Sequence, residues 1–142
     1  MKSSFIDGAI PYSFIAEKIS ELNSNTNIGA HNIFLGQIRA DTIEEKEVIA
    51  IDYSAHETMV MNSFNEITKE SSVKYDLIDV QIHHSIGKVN KGEVCLFVIV
   101  AAGHRNTVFT ALEYIVERIK KEAPIFGKEL FEDKSHVWKV NQ

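Results

Sequence analysis

The sequence predicts an α+β fold, and three observations carry that prediction. Helical and strand periodicities both occur, yet they do not alternate strictly; their order runs roughly α-β-β-α-β-β-α-β-β. The stretch "VCLFVIVAA" at residues 94–102 is almost continuously apolar, the mark of a central strand covered on both faces. The length of 142 residues suits one ordinary domain able to bury a full core without staples. No repeat, low-complexity tract or Gly/Ser/Pro-rich linker divides the chain, so a single domain over residues 1–142 is expected.

The elements follow in order. Pro11 can open a helix at its first position, and Ile15, Ile19 and Leu22 then recur at i, i+4 and i+7 as one buried stripe. "NSNTN" closes that helix as a polar turn. "IGAHNIFLGQIR" reads as a strand ending near Arg39, "ADTIEEKE" as a charged connection, and "VIAIDYS" as a second strand. From residue 56 to about 74, Val60, Phe64 and Ile67 repeat the helical stripe. Ile78, Val80 and Ile82 alternate with polar residues, which predicts a half-exposed strand. "IGKVNKGE" (residues 86–93) reads as a turn-rich loop. After Gly103 comes the most regular helix, with Val108, Leu112, Ile115 and Ile119 at i, i+4, i+7 and i+11. Pro124 marks its end, because the residue before a proline is steered away from helical angles. The tail "IFGKELFEDKSHVWKV" reads as a short hairpin.

Composition narrows the function classes. At 44% hydrophobic and 25% charged the chain is globular. A net charge of −5 argues against a general nucleic-acid binder, which needs a broad basic face, but leaves room for a local basic pocket. The one cysteine, Cys95, allows no internal disulfide and fits a reducing compartment. The first residues lack the apolar core of a signal peptide, and no apolar run approaches the ~20 residues of a membrane span. A cytoplasmic protein without membrane contact is therefore expected.

Candidate chemistry gathers at two places. "AAGHRNTVF" leaves the central strand and enters the last helix, where unpaired amides and the helix dipole favour an anion. His104 and Arg105 add donors there, and the planar fork of an arginine suits a phosphate. A polar cap with a solvated arginine accounts for that stretch equally well. At the other end of the helix, Lys121 follows Glu117 by four residues and sits opposite the core stripe, as a solvated lysine does. Lys120 follows Val116 by one turn and flanks the stripe. A lysine partly desolvated there would have a lowered pKa and could act as a nucleophile or acyl acceptor. By spacing alone, snorkelling at a helix edge explains Lys120 as well. His83 and His84 are adjacent on a strand and point to opposite faces, so they do not suggest a shared metal ion, and no Cys/His spacing typical of zinc is present. Cys95, within the buried run, reads as a small core residue.

In order along the chain, "GAHNIFLGQIR", "IDYSAHETM", "IHHSIG", "KGEVCLFVIVAAGHRNTVF" and "IKKEAPIFGKE" resemble the large, catalytic subunit of molybdopterin synthase, over roughly residues 28–138. The resemblance implies an α/β hammerhead fold and a homodimer. It implies a small ubiquitin-like sulfur-carrier subunit docked on each copy, giving a heterotetramer. Sulfur would pass from the carrier's C-terminal thiocarboxylate to cyclic pyranopterin monophosphate, forming the dithiolene of molybdopterin. The large subunit would need no cofactor and no metal. The family's pocket arginine matches Arg39, its His-Arg pair matches His104 and Arg105, and its essential lysine matches Lys120.

The chain also departs from the pattern. The family's second catalytic lysine falls on Gly127, with Lys128 next to it. Lys128 would substitute if a bulge at the glycine re-aimed it. The arginine that the family supplies from the partner subunit falls on Gln142. Ser54, His56 and Ser85 stand where glutamate, tyrosine and arginine are common. These departures carry a second reading, a catalytically impaired relative that binds a sulfur carrier or a phosphorylated ligand as a scaffold or regulator.

Overall fold

Three α-helices and eight strands are described within residues 3–139 of a computed structural model. In chain order they are β1 (Ser4–Asp7), α1 (Tyr12–Glu21) followed by a 3-10 turn (Leu22–Ser24), β2 (Ala30–Gln37), β3 (Thr42–Ile43), β4 (Lys46–Ala55), α2 (Glu57–Tyr75), β5 (Leu77–Asn90), β6 (Val94–Ala102), α3 (Arg105–Glu122), β7 (Ile125–Phe131) and β8 (His136–Trp138). The helices stand where the apolar stripes predict them. Pro11 is the residue before α1 rather than its first, in extended geometry at ψ 143°. Pro124 lies directly after Ala123, where α3 has left helical angles at ψ 123°.

The strands form a mixed sheet in the order β2-β6-β5-β4-β7-β8, with β1 parallel to β5 and β3 antiparallel to β4. All of β6 is buried, as its apolar run predicts. Leu96, Val98 and Val100 pack with Val60, Phe64 and Ile67 of α2 and with Val108, Leu112, Ile115 and Ile119 of α3. Phe97, Ile99 and Ala101 pack with Ile15 of α1 and Leu22 of the 3-10 turn. Each large side chain buried this way contributes about 1.5–3 kcal/mol. Truncating Phe64 (0% exposed) to alanine would cost about 3–5 kcal/mol.

Strand β5 corrects the expectation of a half-exposed strand. It is buried on both faces from Asp79 to Ser85. Its alternate polar residues stay inside because they satisfy one another. The Ser4 hydroxyl lies 2.8 Å from His83 Nδ1, His83 Nε2 lies 3.0 Å from Gln81 Oε1, and Gln81 Nε2 donates to Asp79 Oδ2 at 3.0 Å. With Gln81 donating through nitrogen, its oxygen must accept, so His83 carries its proton on Nε2 and accepts at Nδ1 from Ser4. Phe14 of α1 packs edge-on over the His83 ring at 5.0 Å. Burial pushes the His83 pKa down to about 4, so the ring is neutral near pH 7. Alternation of polar and apolar residues reads as exposure only when nothing covers the polar face. Here β1 and α1 do.

The loop expected at residues 86–93 is also mostly strand. Strand β5 continues to Asn90, pairing with β4 after Gly87, whose φ of 86° allows the change of partner. The turn narrows to the residues around Gly92, at φ 86°. Strands β1 and β3 went unpredicted. The β3–β4 hairpin turns on Glu44 and Glu45, both at positive φ (50° and 67°). A two-residue turn of that kind ordinarily announces itself with Asn-Gly, which this chain lacks.

Candidate active site

A bulge starts the site. Across the β2–β6 ladder Gly36 faces Leu96 and Gln37 faces Val94, leaving Cys95 as the extra residue. The bulge re-aims the Cys95 thiol, which donates to the Gly36 carbonyl at 3.5 Å and accepts from the Tyr53 hydroxyl at 3.5 Å. From there the chain leaves β2 through buried Ile38 to Arg39. The last turn of α3 brings Lys120 to the same place, β7 brings Glu129, and the residue after β8 is Lys139. Together they line a hollow of about 210 Å³. A second hollow of about 290 Å³ is lined by Pro124, Phe126, Gly127 and Trp138, and shares Lys120 and Lys139 with the first.

Charge in this region is mixed and closely placed. The Arg39 guanidinium is 81% exposed, with Nε 2.6 Å from Asp41 Oδ1 and Nη2 3.4 Å from Oδ2. Asp41 therefore holds one edge of the fork and leaves the other for an anion. Glu129 is only 5% exposed; its Oε1 lies 3.9 Å from Lys139 Nζ, and its Oε2 has no hydrogen-bond partner among the described residues. Burial pushes the Tyr53 hydroxyl well above its usual pKa, with the Cys95 thiol adding to the effect. Burial pushes the Cys95 thiol up as well, opposed by the Tyr53 hydrogen bond and by the positive charge of Lys120. The His84 ring packs edge-on against Tyr53 at 4.8 Å, and its Nδ1–H donates to the Ser85 carbonyl at 2.8 Å. Burial, opposed by the hydrogen bond to Ser85 and aided by the charge of Lys120, lowers the His84 pKa to about 4. Tyr53, Cys95 and His84 are desolvated, whereas Lys120 itself is exposed at the end of α3 rather than partly desolvated as its place beside the apolar stripe suggested.

The residues expected from sequence divide into those brought together and those kept apart. Lys120 and Arg39 line one hollow. Lys121 borders only the second hollow, while Lys120 borders both. His104 and Arg105 stand at the opposite end of α3, exposed. Fifteen residues of helix separate Arg105 from Lys120, about 22 Å at 1.5 Å per residue. Within one copy they cannot meet. Their position is fixed locally by glycines: Gly29 donates to the Ala102 carbonyl at 2.9 Å, and a Cβ at Gly29 would lie 2.1 Å from the Gly103 oxygen. Only glycine fits there.

The bulge expected at Gly127 is absent. The β4–β7 register runs unbroken through Tyr53–Gly127 and Asp52–Lys128. Lys128 consequently keeps the side of β7 opposite to Glu129 and lines neither hollow; its Nζ sits 5.7 Å above the Trp138 ring. Gln142 lies outside the described residues. His56 caps α2, accepting from the Met59 amide at 3.3 Å, and Ser85 is fully buried, so neither adds charge to the hollow. Cys95 is buried as expected, yet it lines the hollow too.

Sequence reasoning missed Glu129, Lys139, Tyr53 and Asp41. Period-two alternation from Gly127 could have found Glu129 on the same face. Nothing local marks Lys139, whose place depends on how the β7–β8 hairpin closes. Among the described residues no cluster of three or more His, Cys, Asp or Glu side chains could hold a metal ion.

Comparison with known proteins bears on family and fold. The model of the MoaE protein family matches residues 12–122. A molybdopterin synthase catalytic subunit of Aspergillus niger is 33% identical over 119 residues, covering 84% of this chain and 66% of that relative. Among solved structures, the molybdopterin synthase of Staphylococcus aureus matches with a TM-score of 0.86 at 26% identity, over 99% of this chain and 98% of that one. A complex of subunits 1 and 2 of the molybdopterin-converting factor of Helicobacter pylori matches with a TM-score of 0.84 at 18% identity, over 100% of this chain and 92% of that one, and so shares the fold. A family model that spans the two outer helices and everything between them settles the relationship: the chain belongs to the MoaE protein family, the molybdopterin synthase catalytic subunits, enzymes of molybdenum cofactor synthesis.

Proposed function

We propose that the Lys120 hollow is where this chain transfers sulfur from the thiocarboxylated C-terminus of a small carrier subunit to cyclic pyranopterin monophosphate, forming the molybdopterin dithiolene. The observation that carries the reading is the meeting of Lys120 and Arg39 in one hollow that adjoins a second. The second hollow, with Phe126 and Trp138 both more than half exposed, suits the extended tail of a carrier. Arg39 would hold substrate phosphate or neutralise charge that develops in the transition state. In each of two successive transfers, the C–S bond of a thiocarboxylate breaks and sulfur joins a pterin side-chain carbon as that carbon's C–O bond breaks, the oxygen leaving with phosphate or as water. The acyl carbon passes to water, either directly or after the Lys120 amine has taken it.

His104 and Arg105 enter this scheme through a second copy of the chain. Strand β2 is an edge of the sheet, about 27 Å long, and its two ends lie beside the two ends of α3. Antiparallel apposition of two such edges about a twofold axis would set His104 and Arg105 of one copy beside Arg39 and Lys120 of the other. A homodimer with one carrier docked on each copy completes the expected heterotetramer. No described helix is long and apolar enough to cross a membrane, and with one unpaired thiol a cytoplasmic setting fits.

The test is a single-turnover assay with thiocarboxylated carrier and cyclic pyranopterin monophosphate, product being read as its fluorescent oxidised derivative. Wild-type protein should form molybdopterin, and Lys120→Ala should not, while dimerisation and carrier docking persist. Unchanged turnover in Lys120→Ala would remove that residue from the mechanism. Gly127, which leaves β7 without the family's second lysine, favours a second reading as a non-catalytic carrier-binding relative; docking without any sulfur transfer would support it.

A further inference from the structure

We infer that Lys139 supplies the second ammonium of the site, in place of the side chain that Gly127 lacks, and that it binds the terminal carboxylate or thiocarboxylate of the carrier tail. The inference rests on the Lys120 hollow being the sulfur-transfer site. Four observations carry it. The Lys139 amide donates to the Gly127 carbonyl at 2.8 Å, so the two residues are neighbours across the hairpin. Lys139 borders both hollows, and Lys120 is the other lysine that does; Lys128 borders neither. A side chain at position 127 is crowded, since its Cβ would lie 3.0 Å from Ile51 Cγ2 and 3.2 Å from Tyr53 Cε1. The fourth observation is Glu129. Its carboxylate is buried in the wall of the first hollow, with one oxygen unpartnered among the described residues and the other 3.9 Å from Lys139 Nζ.

A buried carboxylate needs a cation close by. At 3.9 Å the pair is too long for a hydrogen bond, so Glu129 attracts Lys139 without occupying its N–H donors. An ammonium held in this way is free to donate to an incoming anion. Phe126 and Trp138 line the same second hollow, which matches an anion carried at the end of a polypeptide tail rather than a free ion. Glu129 thus acts as a positioning residue, and Lys139 touches the substrate.

The experiment compares Lys139→Ala, Lys139→Arg, Lys139→Gln and Lys128→Ala in the single-turnover assay at saturating pterin. Losing a charge-assisted hydrogen bond should slow Lys139→Ala and Lys139→Gln by about 10–100-fold. Lys139→Arg should recover most of the rate, and Lys128→Ala should stay within about two-fold of wild type, since its side chain is outside the hollow. Lys139→Ala within two-fold of wild type, or a loss in Lys128→Ala as large as in Lys139→Ala, overturns the inference while leaving sulfur transfer in place. A second readout separates the two claims. Trp138, the only tryptophan, lines the second hollow and reports on binding there by its fluorescence. A synthetic peptide ending in Gly-Gly should bind wild type more tightly than Lys139→Ala, and its C-terminal amide should not distinguish them. Equal binding of the free acid to both proteins overturns the inference whatever the turnover assay shows.

Discussion

The two ends of α3 each carry cationic groups of the candidate site, and they are built differently. At the C-terminal end, Lys120 stands in a hollow with a buried carboxylate, a bulged cysteine and a desolvated tyrosine around it. At the N-terminal end, His104 and Arg105 stand exposed, with no side-chain cap from His104 and no hollow near them among those described. The dipole of the helix adds to the contrast: its C-terminal end favours the lysine cations, and its N-terminal end favours a bound anion. On the proposed reading, one end is the reaction hollow, and the other is the arm that completes such a hollow in a second copy of the chain. The contrast teaches that residues adjoining one helix can serve one site only if two copies of the helix contribute opposite ends.

The contrast can be broken or sharpened by substitution, beginning with the largest effect. Lys120→Ala should lower single-turnover sulfur transfer by about 10³-fold, as loss of a catalytic acid, base or acyl acceptor does. Arg105→Ala should lower it by about 10–100-fold, with the loss appearing mainly as weaker binding of the pterin phosphate. Equal losses in maximal rate at both ends would mean that the arm takes part in the chemistry as the hollow does.

A third prediction concerns the two buried histidines of β5, which face opposite sides of the sheet. His83 and His84 have folded pKa values of about 4, below the roughly 6.5 of an unfolded histidine. The unfolded chain therefore binds more protons between those values. The stability that the neutral rings contribute is complete above pH 6.5 and is lost as pH falls toward 4. Denaturant titrations should show a loss on the order of 1 kcal/mol per pH unit for each histidine in that window. A flat profile there would mean that the rings are not held neutral. The smallest effect belongs to Lys128→Ala, which should change neither stability by more than about 0.5 kcal/mol nor turnover by more than two-fold.

How far the sequence foretold this arrangement follows from the range of the signals. The three helices were legible because their stripes are local and periodic, and β6 because a buried strand needs apolar residues on both faces. Helical rotation distinguishes Lys120 from Lys121, and of the two Lys120 alone borders the first hollow, although both are exposed and both border the second. Strand β1 and the burial of β5 were not legible, since a Ser4–His83–Gln81–Asp79 chain of hydrogen bonds is a tertiary fact that alternation disguises. Lys128 misled for a related reason. Its nearness to the expected position counts for nothing in a strand whose register is unbroken, because one residue changes the face. Lys139 was invisible because it meets Gly127 across a hairpin, twelve positions later in the chain.

The most direct measurement is complementation between the two ends. Lys120→Ala and Arg105→Ala chains would be co-expressed with different tags, and sulfur transfer measured on the mixed population. Each mixed dimer then holds one site with an intact Lys120 from one copy and an intact Arg105 from the other. With random pairing, about a quarter of wild-type activity should return, although neither variant alone is active to that level. Recovery of that size would place the two ends of α3 in one site across the dimer. No recovery in a population shown by its tags to contain mixed dimers would contradict the account.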